Sequence, residues 1–218
     1  MAHRDERPFE PHPDGIRRHA PSVLRNREPI LRVLRRVLPP AGAILETASG
    51  SGEHVAWMAP RLPRHQWAPS EADPTALPGI DLWAAGAAAD NILPARHLDV
   101  TWAEWPVADL GDDLVAVTSL NLIHIAPWSV CEGLLAGAAR ILPAGGLFFL
   151  YGPFRRGGRV LSGGDREFDQ SLKQRDPDWG LRDLERVISK AEDEGLSFEE
   201  SVEMPSGNLS VIFRGRAD

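Results

Sequence analysis

Cysteine is nearly absent from the sequence, and Cys131 is its single occurrence. One thiol excludes an internal disulfide framework and a zinc site built from cysteines. Long apolar runs are missing as well, because no stretch reaches the roughly 18 apolar residues that a bilayer span needs. Residues 1–13 are polar and proline-rich and hold no apolar segment of a secretion signal. We therefore expect a cytoplasmic protein with no membrane partner.

An excess of positive charge is also lacking. The chain has 31 acidic and 24 basic residues, which gives a net charge of −7. Nucleic-acid binding usually needs a concentrated basic face, so a small-molecule partner is expected instead. A length of 218 residues and a hydrophobic share of 43% fit one globular α/β domain, over residues 21–218. The proline-rich residues 1–20 are expected to be a flexible arm without regular structure, with a lid as the alternative.

Apolar segments of strand length alternate with segments of helical periodicity over much of the chain. This alternation predicts parallel strands joined by helical crossovers, and hence a doubly wound, Rossmann-like sheet. Two further strand-like segments are joined by residues 205–208, a connection so short that it fits only antiparallel neighbours. The expected fold is α/β, with a seven-stranded sheet that is mostly parallel and ends in a C-terminal antiparallel hairpin strand. The predicted strands cover residues 43–45, 65–69, 95–98, 114–120, 147–151, 198–204 and 209–214, and the predicted helices 23–38, 55–62, 77–89, 128–142 and 181–194.

The segment after the first predicted strand has the composition of a cofactor-binding turn. Glu46 ends the strand, and Ser49-Gly50-Ser51-Gly52 precedes the next helix. Glycine lets a backbone turn sharply and approach a ligand, and the helix that follows offers unpaired N–H groups to it. A carboxylate at this place opposes a pyrophosphate and welcomes an ammonium group. Glu46 therefore favours S-adenosylmethionine, and an NAD-dependent oxidoreductase on a similar sheet is the alternative.

Polar residues also follow the next three predicted strands, at the edge where ligands of open α/β sheets bind. Glu71 lies 19 residues after Gly52, close to the spacing of about 20 at which an acid takes the ribose hydroxyls of a nucleotide. Asp99 follows the third strand, and its carboxylate can accept a hydrogen bond from the exocyclic amine of adenine. Asn121 and His124 follow the fourth, beside the expected place of a methyl acceptor. These positions predict a cofactor that extends along one edge of the sheet.

Residues 152–180 separate a predicted strand from a predicted helix by far more than the usual connection of roughly two to six residues. Glycine pairs at 157–158 and 163–164 suggest hinges, so this segment is expected to be a substrate lid, with a structural excursion as the alternative. Methyl transfer needs positioning more than a nucleophilic side chain, and His124 and Tyr151 are the catalytic candidates for taking a proton from the acceptor. The predicted substrate-binding residues are His124, Tyr151, Phe154, Asp169, Trp179 and Arg182.

Motifs spread along the chain carry a resemblance to a known family. They are Arg25-Asn26-Arg27-Glu28-Pro29-Ile30, Leu45-Glu46-Thr47-Ala48-Ser49-Gly50-Ser51-Gly52-Glu53-His54, Trp67-Ala68-Pro69-Ser70-Glu71, Leu98-Asp99-Val100-Thr101, Asn121-Leu122-Ile123-His124-Ile125-Ala126-Pro127-Trp128, Tyr151-Gly152-Pro153-Phe154, Phe168-Asp169, Trp179-Gly180-Leu181-Arg182-Asp183, Met204-Pro205 and Ile212-Phe213-Arg214. This set resembles the DUF938 family, which includes methyltransferase-like protein 26 and is assigned to the S-adenosylmethionine-dependent methyltransferases.

The resemblance implies a class I methyltransferase fold and S-adenosylmethionine binding at Glu46, the 49–52 turn, the acid of the second strand and Asp99. At the second strand the family usually has Asp where this chain has Glu71, so Asp73 becomes a competitor for the ribose. Further residues of the matched motifs complete the predicted cofactor-binding set: Asn26, Ala48, His54, Val100 and Asn121.

The function expected from the sequence is S-adenosylmethionine-dependent O- or N-methylation of a small-molecule acceptor, without a metal. Two alternatives stay open at this point. One is the NAD-dependent oxidoreductase, and the other is a non-catalytic S-adenosylmethionine-binding protein.

Overall fold

The computed structural model describes residues 9–157 and 162–216. The helices are α1 (Pro21–Val37), α2 (Glu53–Met58), α3 (Leu77–Gly86), α4 (Trp128–Ile141), α5 (Gly163–Arg175) and α6 (Leu184–Asp193). The strands are β1 (Glu10–Pro11), β2 (Arg18–His19), β3 (Gly42–Thr47), β4 (His65–Glu71), β5 (Arg96–His97), β6 (Leu114–Leu120), β7 (Leu147–Arg155), β8 (Arg182–Asp183), β9 (Leu196–Glu203) and β10 (Asn208–Gly215).

The main sheet has the order β5-β4-β3-β6-β7-β10-β9, and the short strand β8 pairs with the end of β7. Strands β3 to β8 run parallel, whereas β10 is antiparallel to both β7 and β9. The predicted doubly wound sheet with a C-terminal antiparallel hairpin is thereby confirmed. Strand order reverses between β3 and β6, so the carboxyl ends of these two strands flank the crevice in which such sheets bind ligands.

Two apolar layers cover the sheet and hold its strands in place. Alternate side chains of β3 enter opposite layers, since Ile44 packs with helices α1 and α2 and Leu45 packs with α4 and α6. Both faces of a parallel sheet are buried by its crossover helices, which explains the continuous apolar runs of the central strands. Because burial holds the strands in place, the polar residues that follow them lie at fixed positions along the edge of the sheet.

The prediction that residues 152–180 form a loop is wrong for most of this segment. Strand β7 continues to Arg155, and α5 occupies 163–175. The start of α5 is capped, because the Ser162 hydroxyl accepts a hydrogen bond from the amide of Asp165 at 3.1 Å. A Ser followed three residues later by an acid is a helix-start signal, which the two intervening glycines obscured. The hinge predicted at Gly158 lies outside the described residues.

The N-terminal segment is also more regular than its composition predicts. Residues 10–11 and 18–19 form an antiparallel pair, so the prediction that this segment lacks regular structure is wrong for them. Asp14 stabilises the turn between these strands, because its carboxylate accepts hydrogen bonds from the amides of Ile16 and Arg17 at 3.0 and 2.9 Å. Residues 1–8 lie outside the described part of the chain, and the mobility of the arm stays a prediction.

Within the described residues, every helix is too short or too polar to cross a lipid bilayer.

Candidate functional site

The turn between β3 and α2 has an unusual backbone. Ala48, Gly50 and Gly52 all have positive φ angles, of 51°, 61° and 84°. A left-handed conformation strains an alanine but not a glycine, and such strain concentrates at functional sites. The amide of Ser49 donates to the carbonyl of Ser70 at 2.8 Å, which ties the turn to the end of β4. The turn therefore holds a fixed, contorted shape at the edge of the sheet.

Glu46 lies directly behind this turn and is only 1% exposed. Among the described residues, neither of its carboxylate oxygens has a hydrogen-bond partner. Burial raises the pKa of Glu46 to about 7; the Ser49 hydroxyl opposes this rise and the nearby charge of Glu71 adds to it. A buried acid without partners is costly, and groups with strongly perturbed pKa values mark candidate functional sites. The carboxylate of Glu46 therefore marks a candidate site for a positively charged ligand group.

Glu71, at the end of β4, is bonded to the turn. One of its oxygens accepts from the amide of Gly50 at 2.9 Å, and the other accepts from the amide of Ala72 at 2.9 Å. These bonds fix the carboxylate beside the turn, and a carboxylate has further lone pairs to offer a ligand. The competing acid Asp73 is instead engaged by Thr75 and by Arg18, whose Nη2 atom lies 2.9 Å from it.

Asp99 stands after β5 and is half-buried, and its Oδ1 atom accepts hydrogen bonds from the amide and hydroxyl of Thr101 at 2.9 and 2.8 Å. The next residue, Val100, is buried in the apolar layer that contains α4. The structure thus brings Glu46, the turn, Glu71 and Asp99 to the carboxyl ends of consecutive strands, as predicted. Val100 belongs to the core beneath them.

Asn26 and His54 form a buried pair between α1 and α2. The Nε2 atom of His54 lies 2.8 Å from Oδ1 of Asn26. Burial, together with the nearby charge of Arg27, lowers the pKa of His54 to about 4. Its ring is therefore neutral at physiological pH, with the Nε2–H donating to Asn26. Nε2 of His54 and Oδ1 of Asn26 thus satisfy each other, and the predicted part of both residues in cofactor binding stays a prediction.

The predicted acceptor side lies at the ends of β6 and β7. Asn121 has a φ of 61°, and its amide donates to the carbonyl of Tyr151 at 2.8 Å. The Tyr151 hydroxyl accepts from Nδ2 of Asn208 at 2.8 Å. The ring of His124 lies next to Gly152, where a Cβ atom would approach its Nδ1 atom to 3.4 Å, and 6.0 Å from the ring centroid of Phe168 on α5. His124 thus follows the end of β6, whereas Tyr151 lies within β7 and not at its end, because the strand continues to Arg155; the Tyr151 side chain is only 1% exposed in the apolar layer that contains α1.

Arg182 holds the loop that carries His124. Its Nε atom donates to the carbonyl of Ile123 at 2.8 Å, and Nη2 donates to the carbonyls of Ala126 and Asp178. Burial is the main cause that lowers the pKa of Arg182. These contacts give the side chain a positioning role, because most of its donors point to backbone carbonyls of its own chain.

The remaining predicted substrate residues have contacts within the fold. Asp169 on α5 accepts from the amide of Leu181 at 2.7 Å and from Lys173 at 2.5 Å. Trp179 lies under Arg175, at 5.0 Å from its guanidinium carbon, and Phe154 belongs to the buried apolar layer. Substrate contacts by these residues stay predictions.

Three residues of this region were not predicted from the sequence to belong to the site. Phe9 lies over the turn, Asn208 contacts Tyr151, and the carboxylate of Glu53 is buried beneath the turn. The contacts of Phe9 and Asn208 are distant in sequence, so no local pattern indicates them. The sequence did contain a signal for Glu53, because it occupies the first turn of a helix, where an acidic residue is favourable. The described residues contain no group of three or more acidic, histidine or cysteine side chains that would hold a metal.

The sheet order, the antiparallel β10 and the strained turn after β3 define the Rossmann-like fold of class I methyltransferases. The structure is similar to the mitomycin 7-O-methyltransferase MmcR, with a TM-score of 0.73 and 14% identity over 91% of this chain. It is also similar to human N-acetylserotonin methyltransferase in complex with SAM, with a TM-score of 0.71 and 12% identity over 90% of this chain. A third neighbour is an O-methyltransferase family protein from Burkholderia thailandensis, with a TM-score of 0.72 and 13% identity over 90% of this chain.

The chain spans little more than half of these neighbours, 55%, 53% and 58% of their lengths respectively. Structural similarity at such low sequence identity establishes the fold but does not establish the activity. The family is shown by the sequence itself. The chain belongs to the family described as "Protein of unknown function (DUF938)", which matches residues 17–215.

Proposed function

We propose that this protein is an S-adenosylmethionine-dependent methyltransferase that methylates an oxygen or nitrogen atom of a small-molecule acceptor. The observation that carries the proposal is the buried carboxylate of Glu46, which has no hydrogen-bond partner among the described residues. Glu46 lies behind a strained turn in a methyltransferase fold, and a ligand with a positively charged group would compensate its buried charge.

The residues of the turn fit the amino acid part of S-adenosylmethionine. An ammonium group beside Glu46 would supply the missing hydrogen bonds and favour the ionised carboxylate. A pyrophosphate at the same place would meet a buried acid of like charge and raise the cost of burial further. This contrast disfavours the NAD-dependent oxidoreductase and supports the methyltransferase.

The nucleoside part fits the next two strand ends. The bonds from the amides of Gly50 and Ala72 position Glu71 to accept from ribose hydroxyls. The backbone amide and hydroxyl of Thr101 hold Asp99 toward its own loop, where we assign it to the exocyclic amine of adenine. Three carboxylates on adjacent strands would thus bind three different parts of one cofactor.

S-adenosylmethionine supplies a methyl group that is already activated by its sulfonium. The protein then has to place the acceptor atom in line with this methyl group and to exclude water. Arg182 serves this task by fixing the loop of His124. For an acceptor that must lose a proton, we assign His124 or Tyr151 to take it.

Calorimetric titration with S-adenosylhomocysteine and with NAD tests the cofactor, and transfer of labelled methyl groups into a metabolite extract tests the activity. Binding of S-adenosylhomocysteine together with labelled product supports the proposal. Tight NAD binding without a response to S-adenosylhomocysteine contradicts it. Cofactor binding without transfer to any acceptor favours the non-catalytic binding protein.

His124→Ala is expected to lower turnover of an acceptor found in this way by about 100-fold, the usual effect of losing a proton-transfer group. Affinity for S-adenosylhomocysteine should stay the same, since His124 is assigned to the acceptor side. Steady-state kinetics and calorimetry on the same preparation measure both quantities. Full turnover in the variant would remove His124 from the mechanism and leave Tyr151 as the candidate.

A further inference from the structure

The N-terminal hairpin, residues 9–20, lies on the strained turn after β3. A Cβ atom added to Gly50 would come within 2.8 Å of Cζ of Phe9, so the phenyl ring rests directly on this glycine. The amide of the same glycine donates to Glu71. The ring of Phe9 therefore covers the junction between the turn and the acid assigned to the ribose.

We propose that the N-terminal hairpin is a cofactor clamp in which Phe9 closes over the nucleoside of bound S-adenosylmethionine. The proposal rests on the proposed function and adds a contact residue to the same site. It assigns to residues 9–20 a role in binding, where the sequence indicated a flexible arm with a lid as the alternative.

The hairpin is anchored on one side of the site by Glu53. This buried carboxylate accepts from the amide of Ala20 at 2.6 Å and from the hydroxyl of Ser51 at 3.0 Å, and it lies 2.7 Å from Nδ1 of His19. Ser51 is part of the turn itself. The end of the hairpin and the turn are thus joined through one shared carboxylate.

On the other side the hairpin is anchored to the region after β4. Arg18 forms an ion pair with Asp73, and the indole N–H of Trp83 on α3 donates to the carbonyl of Arg18 at 3.0 Å. A Cβ atom added to Gly79 would come within 2.9 Å of the carbonyl of Ile16, so this glycine permits the close approach. The hairpin is thus anchored both to the turn and to the segment that follows β4.

An apolar ring in this place limits the access of water to the site, where Glu46 is buried and the carboxylates of Glu71 and Asp99 are half-buried. Hydrogen bonds between these carboxylates and a bound cationic nucleoside strengthen when water is removed. The ion pair with Asp73 compensates the charge of Arg18, which would otherwise oppose a cationic ligand. A covering aromatic residue on a short hairpin suits a cofactor that must enter and leave in every turnover.

Phe9→Ala tests the clamp through affinity for S-adenosylhomocysteine. We expect binding about tenfold weaker than in the wild type, from loss of the apolar surface that the ring contributes. Ile16→Ala is the matched control, because Ile16 is an apolar residue of the same hairpin that is 54% exposed. Its affinity is expected to stay within about twofold of the wild type.

Hydrogen exchange of the wild type gives a second measurement that needs no variant. S-adenosylhomocysteine is expected to slow exchange of the amides in residues 9–20, including the amide of Ala20. Unchanged or tighter binding in Phe9→Ala, or unchanged exchange in a wild type that binds the ligand, overturns the clamp alone. A wild type that does not bind S-adenosylhomocysteine overturns the proposed function together with the clamp.

Discussion

Glu46→Gln is expected to raise the free energy of unfolding by about 3 kcal/mol at pH 8 and to leave it nearly unchanged at pH 4.5. The cause is the buried carboxyl group, whose pKa burial raises to about 7 from an ordinary value of 4.5. Glutamine has nearly the same shape but carries no charge at any pH. Urea unfolding of both proteins at a series of pH values measures the difference.

The sign follows from the protons bound by each state. Between pH 4.5 and about 7 the folded protein keeps the Glu46 proton while the unfolded chain has lost it. The folded state binds more protons in this window, so the contribution of Glu46 to stability falls as the pH rises and is fully lost above about 7. The pKa of His54, which burial lowers to about 4, acts in the opposite direction, but it is common to both proteins and cancels in their difference.

Thr118→Val provides a control for this result. Thr118 pairs with Glu46 in the register of β3 and β6, and its buried hydroxyl has no hydrogen-bond partner among the described residues. Valine removes this polar atom at similar volume, so any change in stability should be the same at every pH. A pH-independent difference between wild type and Glu46→Gln would mean that Glu46 titrates normally and has access to water.

Arg182→Ala is expected to lower the free energy of unfolding by about 3 kcal/mol, because three backbone carbonyls lose a charged donor. The carbonyls of Ile123 and Ala126 belong to the loop of His124, so the loop should also lose its fixed position. Urea unfolding measures the first effect, and amide exchange of residues 121–127 measures the second.

Arg186→Ala is the matched control for Arg182→Ala. Arg186 is an exposed arginine one turn further along the chain, and its guanidinium lies 4.0 Å from the ring centroid of Trp128. Loss of an exposed cation–π contact should cost only about 0.5–1 kcal/mol and leave loop exchange unchanged. Equal effects of the two substitutions would contradict a positioning role of Arg182.

The sequence was sufficient to predict the architecture because burial in a doubly wound sheet leaves a strong local signal. Apolar runs such as 114–120 indicated the positions of the strands, and the short connection at 205–208 indicated the antiparallel hairpin. The carboxyl ends of parallel strands meet at one edge, so the strand order alone brought Glu46, Glu71 and Asp99 together. That inference needed no knowledge of side-chain contacts.

The errors arose where contacts distant in sequence decide the structure. The N-terminal hairpin is held by Glu53, Asp73 and Trp83, none of which is near it in the chain. Likewise, the sequence marked Arg182 as a polar residue near the site, but only the structure shows that its donors are engaged by carbonyls. Helix α5 was missed because Gly163 and Gly164 concealed its capping residue.

The expected gain in stability from Glu46→Gln has a functional meaning. A side chain that destabilises the folded protein at neutral pH persists where activity needs it, and stabilising such a site usually lowers activity. The cost of burying Glu46 is expected to be offset when a cationic ligand group binds beside it. Stability and cofactor affinity should therefore change in opposite directions in this variant.

The most direct measurement is calorimetric titration of S-adenosylhomocysteine into wild type and Glu46→Gln at pH 6.5, in buffers of different ionisation enthalpy. The wild type should bind the ligand and release most of one proton, because the ammonium group lowers the pKa of Glu46 below its unliganded value of about 7. Glu46→Gln should bind at least about tenfold more weakly and release no proton. Equal affinity and equal proton release in the two proteins would show that Glu46 does not receive the ligand.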